Sequence, residues 1–221
     1  MATLLLESRH GFLNKNNQQF IELFGLAKSG KTTLYEELLK KGYKGFLFDK
    51  FFIGKKLFYF LKFLIKNPLR TSYLFYKINS NWIALENLKF RDYLEIFSMR
   101  NSYLIAVLAK YEIVKNLRNL VFIDEFLLQS IFMIKQQEAN KKEMMEILDL
   151  LPKSNKILLV EASSQERSER FKKIKKFARK LNSKYRKVWI RNSEFNYKII
   201  RELLFELYNV KKFDIERVGQ L

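Results

Sequence analysis

The clearest chemistry in this sequence lies in GLAKSGKT, Gly25 to Thr32. It fits G-x-x-x-x-G-K-[ST] at every fixed position. Gly25 and Gly30 permit backbone angles that side chains resist, so a tight turn can form. The amides of Lys28, Ser29, Gly30, Lys31, Thr32 and Thr33 would then surround a phosphate at a helix N-terminus. Lys31 would reach the β- and γ-phosphates of ATP, and the Thr32 hydroxyl would ligate Mg²⁺.

A second signal is LVFIDE, Leu120 to Glu125. Four apolar residues and then an acid predict a buried strand whose carboxylate emerges at its C-terminal end. Asp124 would hold Mg²⁺ there, directly or through water. Glu125 would orient a nucleophile or cap the following helix. Four further residues are candidates. Asp49 ends an apolar run (GFLFD) and would accept a proton from a substrate hydroxyl, or cap a helix. Arg167 and Arg170, in QERSERFKKIKKFARK, would neutralise charge on a transferring phosphoryl group, or belong to a solvated basic helix. Arg100 would bind an anionic or polar substrate group, or be a surface arginine.

The rest of the composition narrows the chemistry. The chain has 221 residues, no cysteine and one histidine, His10. Disulfides, thiolate nucleophiles and multi-imidazole metal sites are excluded. A general base must be a carboxylate, a lysine or a tyrosine. The net charge is +19. Residues 43–118 carry 14 Lys/Arg against 5 Asp/Glu, and residues 165–191 carry 12 against 2. That distribution predicts either solvated lysine-rich faces or two surfaces that meet a polyanion, a nucleic acid or an anionic membrane. The densest apolar stretch, Leu57 to Ile65, is too short to span a bilayer, and no signal peptide is legible. These features point to a cytoplasmic protein.

The elements that must position these residues follow from periodicity. Apolar runs predict strands at 18–24, 45–49, 120–124, 156–161 and 187–191. Helical spacing predicts helices at 31–41, through most of 55–118, at about 126–150, at 165–182 and at 194–209. Gly42 would end the first of these. Short apolar strands alternating with helices predict an α/β fold: a doubly wound, five-stranded parallel sheet with helices on both faces. In KKLFYFLKFLIKN (55–67), Leu57, Phe58, Leu61, Leu64 and Ile65 share a face that would point to the core. Phe60 and Phe63 widen that surface, so an interfacial helix on a membrane or partner is the alternative.

The order of elements from about residue 18 to 210 resembles the thymidylate kinase-like branch of P-loop nucleoside and nucleotide kinases. GLAKSGKTTLYEELLKKG looks like that family's first strand, loop and helix. The helix containing Arg100, followed by Asp124, is similar to its substrate-binding helix and next strand end. ASSQERSERFKK resembles its arginine-bearing lid, and KVWIRNSEFNYKIIRELLFEL its last strand, base-side turn and closing helix. The resemblance implies a P-loop NTPase fold with a helical lid. It also implies ATP and Mg²⁺ as cofactors, Arg100 on the acceptor, Arg167 and Arg170 on the phosphates, and Asn192 and Ser193 near the base. The chain departs from the pattern at Glu125, where the family carries an arginine.

Together these readings predict an N-terminal extension (1–17), a kinase-like domain (18–210) and a tail (211–221). Within the domain, 50–118 would be a helical acceptor side and 165–186 a basic lid. The expected activity is phosphoryl transfer from ATP to a small-molecule hydroxyl or phosphate acceptor. Two alternatives remain: an ATPase using Asp124 and Glu125, and a kinase or binder acting on nucleic acid or an anionic surface. The sequence sets no oligomeric state.

Overall fold

The computed structural model describes residues 2–8, 20–46, 53–80, 90–117, 119–135, 138–154, 156–172 and 183–212. They form one mixed six-stranded sheet with helices on both faces. The strands are β1 (Ala2–Ser8), β2 (Phe20–Phe24), β3 (Lys44–Gly45), β4 (Val121–Asp124), β5 (Lys156–Glu161) and β6 (Tyr208–Lys212). The helices are α1 (Lys31–Lys40), α2 (Ile53–Lys66), α3 (Pro68–Ser80), α4 (Phe90–Val114), α5 (Leu127–Ile134), α6 (Lys141–Leu150), α7 (Ser164–Lys172) and α8 (Ser183–Leu207). The spatial strand order is β3-β4-β2-β5-β1-β6.

The sheet has two halves. β3, β4, β2 and β5 run parallel, with Phe20 opposite Val121 and Ile21 opposite Lys156. β1 then enters antiparallel to β5, with Leu4 opposite Leu159, and β6 pairs antiparallel to β1. Four differences from expectation appear here. The sheet is six-stranded and mixed rather than five-stranded and parallel. Residues 2–8 are a sheet strand, not part of an extension, because Leu4 and Leu6 face one core while Leu5 faces the other. Residues 187–191 are helical, inside α8. The β-forming Val188, Trp189 and Ile190 yield there to a helix whose later residues Tyr197, Ile200, Leu203 and Leu204 bury at helical spacing. Residues 211 and 212, expected in a tail, complete β6.

Alternation with period two divides the core. Ile21, Leu23, Phe122, Leu158 and Val160 pack under α1 through Leu34, Tyr35 and Leu38. Phe20, Phe24, Val121, Ile123, Ile157 and Leu159 face the other way, toward α4, α5, α6 and α8. α1 stops where expected: Gly42, at φ +88°, donates its amide to Leu39 O, and Tyr43 donates to Leu38 O.

Among the described residues the expected helical region 50–118 forms three helices, with α2 packed along α4 and α3 against α6. Of the face of α2 expected to point to the core, Leu64 alone packs against it. Phe60 and Phe63 are buried, whereas Leu57, Phe58, Leu61 and Ile65 are exposed. The Lys66 ammonium at the end of α2 pairs with the fully buried Glu112 of α4 at 3.1 Å. In α3, Arg70 donates to the carbonyls of Asp149, Leu150 and Leu151 at the end of α6. Cations at a helix C-terminus meet its unpaired carbonyls and the negative end of its dipole.

Candidate functional site

The site sits where β2 ends and α1 begins. β2 is buried along its whole length and lies between two parallel neighbours, so its C-terminal end is held on both sides. From there the chain turns to one side through α1 and returns later on the other as β5. Such a reversal leaves a crevice beyond the strand ends.

The loop from Gly25 to Gly30 is tightly constrained. A Cβ on Gly25 would stand 2.3 Å from the Val160 carbonyl oxygen and 2.8 Å from Ser29 Oγ, so no other residue fits against the end of β5. Lys28 and Gly30 both take left-handed backbone angles, φ 67° and 107°. Gly30 carries that conformation without cost, and Lys28 carries it under strain. The Ser29 amide donates to Leu26 O at 3.1 Å, and the buried Ser29 Oγ has no hydrogen-bond partner among the described residues.

Lys31 is buried at the first turn of α1. Its ammonium donates to Gly25 O at 2.8 Å and Leu26 O at 3.0 Å, folding back across the loop. Burial pulls its pKa down to about 8, and the facing carboxylates of Asp124 and Glu125 oppose that shift. Thr32 and Thr33 are exposed on the same turn.

Asp124 meets the loop from β4. Thr32 Oγ1 donates to Asp124 Oδ2 at 3.0 Å, and the Glu125 amide donates to Asp124 Oδ1 at 3.0 Å. Glu125 adopts φ 52°, unusual for a side-chain-bearing residue. Lys110 of α4 braces that turn, donating to the Asp124 and Glu125 carbonyls at 3.2 Å each. Its ammonium also lies 5.4 Å from the centre of the Phe126 ring.

Arg167 and Arg170 of α7 reach the loop from the opposite side. Arg167 Nε donates to Ala27 O at 3.2 Å, and its other end pairs with Glu194 of α8 at 2.7 Å. Arg170 donates to Lys28 O at 2.9 Å. Two guanidinium groups and one ammonium therefore converge on a loop of eight residues.

An open cleft of about 570 Å³ adjoins Asp124 and Glu125. Thr32, Tyr35, Lys56, Tyr103 and Lys110 also line it. Its walls thus come from α1, α2 and α4.

The structure brings together Gly25, Lys28, Ser29, Gly30, Lys31, Thr32, Asp124, Glu125, Arg167 and Arg170. Arg100 is not among them. It is buried in α4, donates to Ile78 O of α3 and does not line the cleft. Asn192 is buried within α8, not in a turn after a strand, so the position expected for it near a base does not arise in that form. Its neighbour Ser193 lines a narrow cavity with Ala27 and Arg167. Asp49 and residues 173–182 of the expected lid lie outside the described residues.

Two residues that matter here escaped the sequence reading. Lys110 is one, and its signal was a lysine inside the apolar run YLIAVLAKYEIV. Glu22 is the other, an acid inside the buried strand FIELF. Its carboxylate accepts from the Leu128 amide at 2.6 Å and from Ser154 Oγ at 2.7 Å. Burial pushes its pKa up to about 7, against the pull of those hydrogen bonds. Glu22 thereby ties β2 to the first turn of α5, the helix that follows Asp124 and Glu125.

The donor set suits the expected cofactors. Thr32 and Asp124 offer hard oxygen ligands of the kind Mg²⁺ takes alongside phosphate oxygens. The glycine-lined loop and the unsatisfied Ser29 hydroxyl suit a phosphate. In comparison with known proteins, no family model, no curated protein and no solved structure matches this chain.

Proposed function

We propose that this protein is a P-loop phosphotransferase that moves a phosphoryl group from ATP to a small-molecule hydroxyl or phosphate acceptor. The observation that carries this reading is the meeting of three elements at one point. The GLAKSGKT loop closes β2, Thr32 bonds Asp124 across to β4, and Arg167 and Arg170 grip the loop from α7. The four parallel strands β3-β4-β2-β5, with the loop after a central strand, support a P-loop NTPase fold for this half of the sheet.

In this reading the loop amides hold the β- and γ-phosphates, and Lys31 transfers its ammonium from the Gly25 and Leu26 carbonyls to phosphate oxygens. Thr32 and Asp124 would hold Mg²⁺, which would neutralise phosphate charge when bound. Arg167 and Arg170, already beside the loop, exchange backbone carbonyls for phosphoryl oxygens as charge develops. The acceptor enters the cleft beside Asp124 and Glu125. Such transfer requires little covalent work from the protein, so positioning and electrostatics supply most of the rate.

Glu125 supports a second reading, an ATPase in which this carboxylate orients water. It lines the cleft directly after Asp124, on a strained backbone braced by Lys110. One experiment separates the two. ATP consumption is measured with Mg²⁺, first without acceptor, then against nucleosides, nucleoside monophosphates, sugars and short oligonucleotides. A low basal rate raised by one acceptor class supports the transferase. A high basal rate unchanged across the panel supports the ATPase. No ATP consumption and no ATP binding under any condition overturns both.

A further inference from the structure

The face of α2 that points away from the core is apolar. Leu57, Phe58, Leu61 and Ile65 are all exposed, Phe58 by 61% and Ile65 by 78%. At 100° per residue they fall within an arc of about 100°. Lys55, Lys62 and Lys66 follow along the adjoining stripe. Past the turn at Asn67, α3 continues the pattern with Leu69, 86% exposed, and the stacked, exposed pair Tyr73 and Tyr76. Single exposed apolar residues are ordinary; seven on two consecutive helices are a surface.

The charges that α2 and α3 themselves carry have one sign, although Lys66 pairs with Glu112 of α4 and Lys77 with Glu146 of α6. Residues 53–80 contain Lys55, Lys56, Lys62, Lys66, Arg70 and Lys77 and no acidic residue. We propose that the outward face of α2 and the start of α3 is a docking surface for an anionic lipid bilayer, with α2 lying in the plane of the headgroups. An apolar face with a lysine border is the pattern of an interfacial helix. The lysine stems can lie along the acyl boundary while the ammonium groups meet lipid phosphates. Tyr73 and Tyr76 carry the amphipathic ring favoured at the headgroup level.

Other occupants fit the surface less well. α2 is 14 residues long, and among the described residues no helix is long and apolar enough to cross a membrane. A second copy of the chain would set Lys55 and Lys62 of one α2 against the same lysines of the other. A nucleic acid would use the lysines but leave Phe58, Ile65 and Leu69 in water.

The test is co-sedimentation of the full chain with vesicles of phosphatidylcholine alone, and of phosphatidylcholine mixed with phosphatidylserine. The expected result is binding to the mixed vesicles that weakens with salt, and much weaker binding to phosphatidylcholine alone. The triple variant Phe58→Ser, Ile65→Ser, Leu69→Ser should lower the partition coefficient by roughly tenfold or more. It removes only exposed side chains, and an unchanged melting temperature shows that it folds. Lys55→Glu with Lys62→Glu should reduce binding to the mixed vesicles and leave the weak binding to phosphatidylcholine unchanged. Absence of binding to the mixed vesicles overturns the proposal. So does binding retained by the triple variant, which would place the contact elsewhere on the basic surface. A concentration-dependent dimer in sedimentation, lost in the triple variant, would assign the face to a second copy and overturn it as well.

Discussion

The loop between β2 and α1 and the helix pair α2–α3 are built on opposite terms. In the loop, position is fixed by backbone. Gly25 has no room for a Cβ, Gly30 takes a left-handed angle, and Lys31, Arg167 and Arg170 all spend hydrogen bonds on main-chain carbonyls. In α2–α3, position is fixed by side chains on the inner face: Phe60, Phe63, Leu74 and Ile78 pack inward, Lys66 pairs with Glu112, and Arg70 holds the last carbonyls of α6. The other face is as apolar as the packed one. A loop of the first kind tolerates almost no substitution. A helix pair of the second kind tolerates change on its outer face and none on its inner one.

The sharpest way to break this contrast is at Lys31. Lys31→Ala removes the one ammonium that can pass from loop carbonyls to a triphosphate. ATP-dependent turnover should fall by two orders of magnitude or more, roughly the cost of losing a donor aimed at developing charge. Circular dichroism should show an intact fold, since the lysine's two hydrogen-bond partners are carbonyls of the same loop and it joins no distant elements. Turnover at the unaltered rate would remove the loop from the chemistry.

The next effect compares the two faces of α2 directly. Phe63→Ala empties a buried site, the ring being 2% exposed, and should cost about 3–5 kcal/mol in denaturant unfolding. Phe58→Ala, one and a half turns earlier on the same helix, should change stability by no more than about 0.5 kcal/mol. Equal costs would mean that both faces of α2 are packed.

These two regions also differ in how much of each could be read beforehand. The loop was legible because its residue types dictate backbone geometry. Glycines at fixed positions, a lysine and a threonine specify one local conformation before any tertiary contact. Asp124 was legible for a related reason, since four apolar residues leave an acid only the strand end. In α2 the apolar spacing identified the helix but not its face. Leu57, Phe58, Leu61 and Ile65 form as good a stripe as Phe60 and Phe63, and only the packing of α4 chooses between them. Residues 187–191 misled because local β-propensity is weak beside a long amphipathic helix. β1 was missed because a strand is recognised by its partners, and those lie in β5 and β6.

Two smaller effects come from the buried ionisable groups. Glu22 holds its proton more tightly in the folded chain, near pH 7, than in the unfolded one, near 4.5. The folded state therefore binds more protons between those values. Stability contributed by protonated Glu22 is present at low pH and is lost as pH rises through about 7. Melting temperatures should decline between about pH 5 and about pH 8, and Glu22→Gln should flatten that part of the curve. A slope unchanged in the variant would place the titration elsewhere.

Lys31 behaves in the opposite sense. Its folded pKa, about 8, lies below the unfolded value of 10.5. The cost of burying the charge is present below pH 8 and is relieved as pH rises toward 10.5, so stability increases through that window. Phosphate charge would restore the proton. ATP binding near pH 8 should accordingly take up a fraction of a proton, seen by calorimetry in two buffers of different ionisation enthalpy. Equal heats in the two buffers would mean that no group at the site changes protonation. This is the smallest of the four effects and the one most specific to the loop.

The antiparallel half of the sheet bears on how the chain is assembled in time. Glu7 of β1 meets Lys211 of β6 across 204 positions of sequence, while β1's other neighbour, β5, begins at Lys156. A nascent chain leaving the ribosome therefore carries β1 without either partner until most of the chain has been made. The parallel strands β2, β3 and β4 can associate in the meantime around α1. Such long-range pairing lengthens the search and slows folding. Closure of the sheet is thus a late event, and until then β1 presents Leu4, Leu5 and Leu6 as an unpaired edge for chaperones to shield.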